Sequence, residues 1–358
     1  MRFSLTLTKE DAMNRLAPIL TAIGIIAATA VPALAHHSGG HHSYSHGHHS
    51  YYHGHYHGTS GCGYYSSYYG CYLNSTCTYY INQGDAWYDQ GNFDQAIANY
   101  TQAIANDPTC ALAYNQRGAA WYSKGDFDKA ITDATLAIAN NHSDASAYNN
   151  RAAALDAKNE FDKALVDVNL ALAIEPSFVD AYISRSAILY NKGEYDKAIA
   201  DDNSALAIDP SSAQAYSNRA GAWNMKGEYD KAKADFDQAI ALDANNAEYY
   251  DDLAFFQATC LDPQFRNGQQ AFANATKAYQ LTNGSNVANI SILASVYAEN
   301  GDFAQAITWQ QKALDLAKTQ EMKQRYLARL ELFKQSKPFR LDPKTAMQIP
   351  SVVATSAK

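Results

Sequence analysis

The sequence predicts an all-α fold: a solenoid of about seven helix–turn–helix units, closed by a capping helix and preceded by a low-complexity arm. Three observations carry that prediction. Small, turn and aromatic residues recur at a step of 34, as from Gly84 to Gly118 to Ala152. Apolar residues inside each unit are spaced at three and four, the period of an amphipathic helix. No Asp, Glu, Lys or Arg occurs from His36 to Asn82, so the chain joins two stretches of different character.

Composition bounds the function before any motif does. The chain has 358 residues, 28 Lys+Arg against 36 Asp+Glu, and a formal charge of -8. Nucleic acid is excluded as the main partner, because phosphate binding calls for a basic excess or a basic stripe. At 47% hydrophobic residues the chain can bury a sizeable core.

Residues 1–35 read as an export signal. A leader with Arg2, Lys9 and Arg15 precedes the uncharged stretch Leu16 to Val31, and Pro32 stands before Ala33-x-Ala35. Cleavage after Ala35 would send the mature chain to the periplasm or out of the cell. The alternative is an uncleaved anchor facing the envelope, since Leu16 to Ala35 has roughly the 20 residues a span needs. Membrane contact is expected only through this segment. In an oxidising compartment the spacings of Cys62, Cys71 and Cys77 permit a disulfide, with one left over or paired with Cys110. No CxxC or CxxCH occurs, which leaves a redox pair and a covalent haem without support.

Residues 36–76 form the arm, rich in His, Tyr, Gly and Ser. Ten of the 11 His lie in it: His36, His37, His41, His42, His46, His48, His49, His53, His55 and His57. With no aliphatic residue to bury before Gly61, the arm is expected to be disordered without a ligand. Its imidazoles can converge on Zn, Cu or Ni as a flexible, weak, multi-site buffer, although no cofactor is required. Two other readings stand beside this one: a polar tether, and a segment that turns cationic in mild acid because free imidazole titrates near 6.5.

Residues 77–317 hold the repeats. Small residues fall at Gly84, Gly118, Ala152, Ser186 and Ala220, and turn residues at Gly91, Gly125, Asn159, Gly193 and Gly227. Aromatics follow at Phe93, Phe127, Phe161, Tyr195 and Tyr229. Two alanine rows begin at Ala96 and Ala103, where a larger side chain would force paired helices apart. Large residues stand at Trp87, Trp121, Leu155, Leu189 and Trp223, and Pro108, Pro176 and Pro210 end three units.

At every one of these anchors the chain resembles the tetratricopeptide repeat family. The resemblance implies a right-handed superhelical solenoid that binds other proteins in a groove lined by one face of each first helix. On that face fall Asn82, Gln116, Asn150, Ser184 and Asn218 in one row, with Tyr88, Asn115, Tyr122, Asn149, Tyr190 and Asn224 nearby. Carboxamides both donate and accept, so such a row suits an extended main chain. It resembles the asparagine ladder of O-GlcNAc transferase superhelices, and departs from carboxylate-clamp repeats, whose Lys and Arg are missing here. The bland alternative is a polar wall with no ligand.

Two charged rows read as structure. Arg117, Arg151, Arg185 and Arg219 recur together with Asp133, Asp167, Asp201 and Asp235, and both rows are absent from the first unit. Joint presence predicts that Arg and Asp of the same unit pair. Lys129, Lys163, Lys197 and Lys231 read as a solvated face.

After the fifth unit Leu261 to Gly268 lengthens a turn by five residues, then Ala271 and Ala278 resume the alanine rows. A seventh unit carries Ala294, Tyr297, Gly301, Phe303, Ala306 and Ala313. Cys260, Asp262, Pro263, Phe265 and Arg266, with Lys337 to Arg340, resemble the C-terminal part of bacterial exported repeat proteins. The closing helix is expected over Lys318 to Lys334 within a capping segment 318–340, and 341–358 as a loose tail. No GxSxG, P-loop, HExxH or GxGxxG occurs, and His142 sits in an inter-unit turn, so no catalytic residue is expected. The whole reads as an exported scaffold for an extended peptide segment of another protein. The runner-up is an envelope metal-binding protein that uses its arm.

Overall fold

The computed structural model describes residues 65–66, 71–72 and 75–342, all within Ser43–Lys358, the second of two units into which the chain divides. The expected signal (1–35), the histidines of the arm and most of the tail (343–358) lie outside the described residues.

Seven helical hairpins follow one another. They are α1 (Ser75–Asp89) with α2 (Phe93–Asn106), α3 (Ala111–Ser123) with α4 (Phe127–Asn140), and α5 (Ala145–Ala157) with α6 (Phe161–Ile174). Then come α7 (Val179–Asn191) with α8 (Tyr195–Ile208), α9 (Ala213–Lys226) with α10 (Tyr229–Leu242), α11 (Ala247–Thr259) with α12 (Gly268–Leu281), and α13 (Val287–Glu299) with α14 (Phe303–Leu316). A last helix, α15 (Gln320–Lys334), packs on α14. Each first helix also touches the first helix of the next hairpin. One short β-ladder departs from the all-helical expectation within the span assigned to the arm: β1 (Tyr65–Ser66) pairs antiparallel with β2 (Cys71–Tyr72). Tyr-rich sequence of this kind has β-propensity that the low-complexity reading overlooked.

The repeated residues explain the hairpins one by one. The turn row takes the left-handed conformation, with φ of 71° at Gly91, 78° at Gly125, 77° at Gly193 and 78° at Gly227. Asn159 holds the same place at φ 61°, which Asn tolerates better than other side chains. The next N–H then reaches back to close the first helix, as Asn92 N does to Trp87 O at 2.9 Å. Both alanine rows are buried in all seven hairpins: Ala96, Ala164, Ala198, Ala232, Ala271 and Ala306 are fully covered, as is the row from Ala103 to Ala313. Enlarging such a residue in a closely packed seam strains it by about 1 to 3 kcal/mol.

The small-residue row is matched to the residue opposite it, sixteen positions on. Gly84 faces Tyr100, and a Cβ at Gly84 would collide with the Tyr100 ring. Gly118 stands by Ala134, while Ala152 and Val168 share one core cluster and Ala220 and Phe236 another. In the fourth hairpin the pair is polar: Ser186 Oγ donates to Asp202 Oδ2 at 2.7 Å, and Asp202 is fully buried.

The expected Arg–Asp pairing within units is present in four hairpins. Arg117 Nε lies 2.7 Å from Asp133, Arg151 2.7 Å from Asp167, Arg185 Nη2 2.6 Å from Asp201 and Arg219 2.7 Å from Asp235. Each fork is bidentate, and its remaining nitrogen reaches the preceding hairpin, at Thr101, Thr135, Asn169 and Asn203. So the ladder also ties hairpin to hairpin. Lys129, Lys163, Lys197 and Lys231 are exposed, as expected; each forms an ion pair with the acidic residue three positions earlier, and Lys129 and Lys231 also lie over the Trp121 and Trp223 rings.

At the C-terminal end the described residues run through α15 to Asp342. α15 starts two residues later than expected because Thr319 caps it, accepting from Met322 N. Beyond it the chain runs back along the array: Leu341 N donates to Thr259 O at 3.0 Å, and Leu341 is buried. Arg340 and Arg266 converge on the Glu299 carboxylate at 2.6 and 3.2 Å. The long turn between α11 and α12, which contains a short 3-10 helix (Pro263–Phe265), supplies that Arg266.

Candidate binding site on the first-helix face

Side chains from consecutive first helices meet along a diagonal of 35 residues. Tyr88 bonds Ser123 at 2.8 Å, Asn150 Nδ2 donates to Asn115 Oδ1 at 2.8 Å, and Asn191 Nδ2 donates to Asp156 at 3.1 Å. Ser217 Oγ donates to Asp252 at 2.7 Å. The diagonal stitches neighbouring hairpins and takes up much of the expected amide row. Gln116 is also engaged, donating to Asp85 at 3.2 Å. Asn115 and Asn149 are both 3% exposed, Tyr122 packs on Phe127 with ring centroids 5.3 Å apart, and Asn82 is exposed.

Toward the C-terminal end this face opens into a cavity of about 180 Å³, lined by first helices from α5 to α13, by α15 and by Leu341. Tyr190, Asn218 and Asn224 of the expected groove residues line it together; the other eight do not. Two unpartnered amide atoms face each other in type. Asn191 Oδ1 and Asn218 Nδ2 are buried without a hydrogen-bond partner among the described residues, one an acceptor and the other a donor.

Charge in the cavity was not expected from the amide row. Asp156, Glu248, Asp251 and Asp252 line it with Arg325 and Arg329. Asp251 is 5% exposed; its Oδ2 accepts from Asn289, and its Oδ1 has no partner among the described residues. Burial, reinforced by the carboxylates of Asp252 and Glu248, holds its pKa well above the usual carboxylate range. Arg329 is committed elsewhere, donating to Ser291 Oγ at 3.0 Å and lying over the rings of Phe255 and Phe339. Burial lowers its pKa to about 10. Three of the missed residues continue rows already visible: Asp156 interrupts the Tyr88, Tyr122, Tyr190 row, and Asp251 and Asp252 fall 34 after Ser217 and Asn218.

One trio of metal-type donors comes together among the described residues. The ligand atoms of Cys77, Asp107 and Cys110 lie within 4.8 Å of one another, with both thiols buried. Cys77 thus sits beside Cys110 at the junction of α1 and α3. The histidines expected to bind metal lie outside the described residues, as does Cys62.

Successive helical hairpins, a left-handed turn residue recurring in all but the sixth, and two buried alanine rows define a helical-repeat solenoid. The chain is a tetratricopeptide-repeat protein: models of the tetratricopeptide repeat match residues 81–145, 156–213 and 188–247, and a second such model matches 291–320. Among solved structures it is similar to a tetratricopeptide repeat protein from Parabacteroides merdae, at 18% identity and a TM-score of 0.55, over 73% of this chain and 100% of that one. It is also similar to the Cut9–Hcn1 hetero-tetramer of the APC/C, at 14% identity and a TM-score of 0.54, over 62% of this chain and 43% of that one. At these identities the likeness is one of fold. No curated protein matches the chain.

Proposed function

We propose that the protein is an exported scaffold that holds an extended segment of another protein on its first-helix face. The observation that carries this reading is the pair of unpartnered amide atoms, Asn218 Nδ2 and Asn191 Oδ1, in one cavity. A buried polar group without a partner costs about 1 to 3 kcal/mol, and a peptide main chain offers the missing C=O and N–H together. Selection from a random peptide library on the full chain tests it. Wild type is expected to enrich peptides that an Asn191→Ala, Asn218→Ala double variant fails to retain; equal retention by both removes the groove reading.

Export rests on the composition of residues 1–35 and is tested by N-terminal sequencing of the protein from fractionated cells. A mature chain starting at His36 supports it, and an intact leader in the membrane fraction favours the anchor. The density of His between His36 and His57 supports a second activity, capture of Zn, Cu or Ni by the arm. Metal uptake that survives deletion of residues 36–58 rules this out.

A further inference from the structure

We infer that the cavity on the first-helix face takes a cationic side chain, lysine or arginine, of the bound segment, with Asp251 as its principal anion. This deepens the groove reading and rests on it.

The inference starts from how the chain treats its buried aspartates. Asp133, Asp167, Asp201 and Asp235 are 4 to 7% exposed, and each has an arginine fork on it. Asp251 is as deeply buried at 5%, yet none of the ion pairs among the described residues includes it; Asp144 and Asp202 also lack one, but only Asp251 of the three lines the cavity. One oxygen is held by Asn289 and the other, in the cavity wall, has no partner. A burial of this kind is costly unless a proton or a cation completes it, and a cation bound beside the carboxyl favours its ionised form.

The cavity's own cations do not complete it. Arg329 is bound to Ser291 and lies against the rings of Phe255 and Phe339, and Arg325 lies 3.7 Å from Glu321. Four carboxylates against two guanidiniums leave the cavity acidic, and Asp252 and Glu248 add their charge next to Asp251. Tyr190 and Phe256 offer apolar wall to the methylene stem of a long side chain. A volume of about 180 Å³ suits one side chain and is small for a folded element.

A purely structural role for Asp251 would be to pin α13 through Asn289. Asp251→Asn separates the two roles, because an amide keeps a hydrogen bond to Asn289 and loses the charge. Full-length protein is titrated with Nα-acetyl-arginine methylamide, the lysine equivalent and the neutral citrulline equivalent, and its thermal midpoint is measured in parallel at pH 7. Saturable binding of the two cations but not of citrulline is expected, weakened about tenfold or more by Asp251→Asn with no fall in thermal midpoint. Asp252→Asn, which removes a neighbouring charge, is expected to weaken binding in the same direction. Binding unchanged in Asp251→Asn, or lost only in proportion to a lower midpoint, overturns the inference.

The peptide selection keeps the two readings apart. Selected peptides without Lys or Arg enrichment sink the cation site and leave the groove. Charge-dependent binding of the capped arginine with no peptide selected sinks the groove and leaves the site, and failure of both removes both.

Discussion

The hairpin seams and the cavity both bury aspartates, and they finish the job differently. In the seams each of the four aspartates of the charged row meets an arginine of its own unit, which also reaches the preceding unit. Asp202, outside that row, is held by Ser186 alone among the described residues and does not line the cavity. In the cavity Asp251 keeps one oxygen without a partner although it is buried to the same degree. A charge that the fold has satisfied is part of the fold. One that it leaves unsatisfied in a cavity wall is available to a ligand, at a cost to the stability of the free protein.

The largest effect should come from breaking the seam. Arg151→Ala strips Asp167, 5% exposed, of both its hydrogen bonds and leaves a buried carboxylate uncompensated. Removing one partner of a buried pair costs about 3 to 5 kcal/mol, and the partial exposure of Arg151 puts this case at about 3. Urea denaturation should show that loss, and Arg151→Ala with Asp167→Ala together should recover part of it. A loss below about 0.5 kcal/mol would mean that these pairs behave as surface salt bridges and would erase the contrast with Asp251.

An intermediate effect comes from pH. Burial raises the carboxyl pKa of Asp144 to about 6 and, with nearby Asp209 and Glu175, that of Asp180 to about 7; Asp202 and Asp251 are also pushed well up. Between the ordinary aspartate value and these, the folded state holds protons that the unfolded state has released. Stability is therefore fullest below pH 4 as far as these groups decide it, and falls as pH rises through 6 and 7. A thermal midpoint a few degrees higher at pH 5.5 than at pH 8 is expected. Ser186→Ala with Asp202→Val, which restores the apolar pair of the third hairpin, should flatten that slope and add about 1 to 2 kcal/mol at pH 8. A midpoint that climbs toward pH 8 contradicts this.

Periodicity explains which of these features could be read in advance. The hairpins, turn row, alanine rows and Arg–Asp ladder repeat at one step, so each copy vouches for the others. The seventh hairpin was as legible as the second, because Ala306 and Ala313 are buried like Ala130 and Ala137. The cavity lies where repetition stops. Asp156 replaces a tyrosine, Asp251 and Asp252 follow the fifth unit, and Arg329 comes from a helix outside the repeat. The amide row was visible, but not that Asn115 and Asn150 would satisfy each other, because a bond across 35 residues depends on how two first helices meet. Arg266 and Arg340 belong to two separate sequence motifs, and only the fold shows them sharing Glu299.

The smallest effect links seam and cavity through one turn. Asn159 holds the left-handed place that glycine fills in the neighbouring units, and its N–H donates to Asp156 O at 2.7 Å, where Asp156 lines the cavity. Asn159→Ala puts an unsuited residue at φ 61° and should cost about 1 kcal/mol in urea denaturation. Gly125→Ala imposes a similar strain at φ 78° one unit earlier, in a turn away from the cavity, and should cost a similar amount. The two variants should then part company in ligand binding. Asn159→Ala is expected to weaken the capped-arginine titration about two- to threefold by shifting Asp156, whereas Gly125→Ala should leave it unchanged. Equal weakening in both would mean that the cavity senses the stability of the whole array, and the division between satisfied seam and open site would not hold.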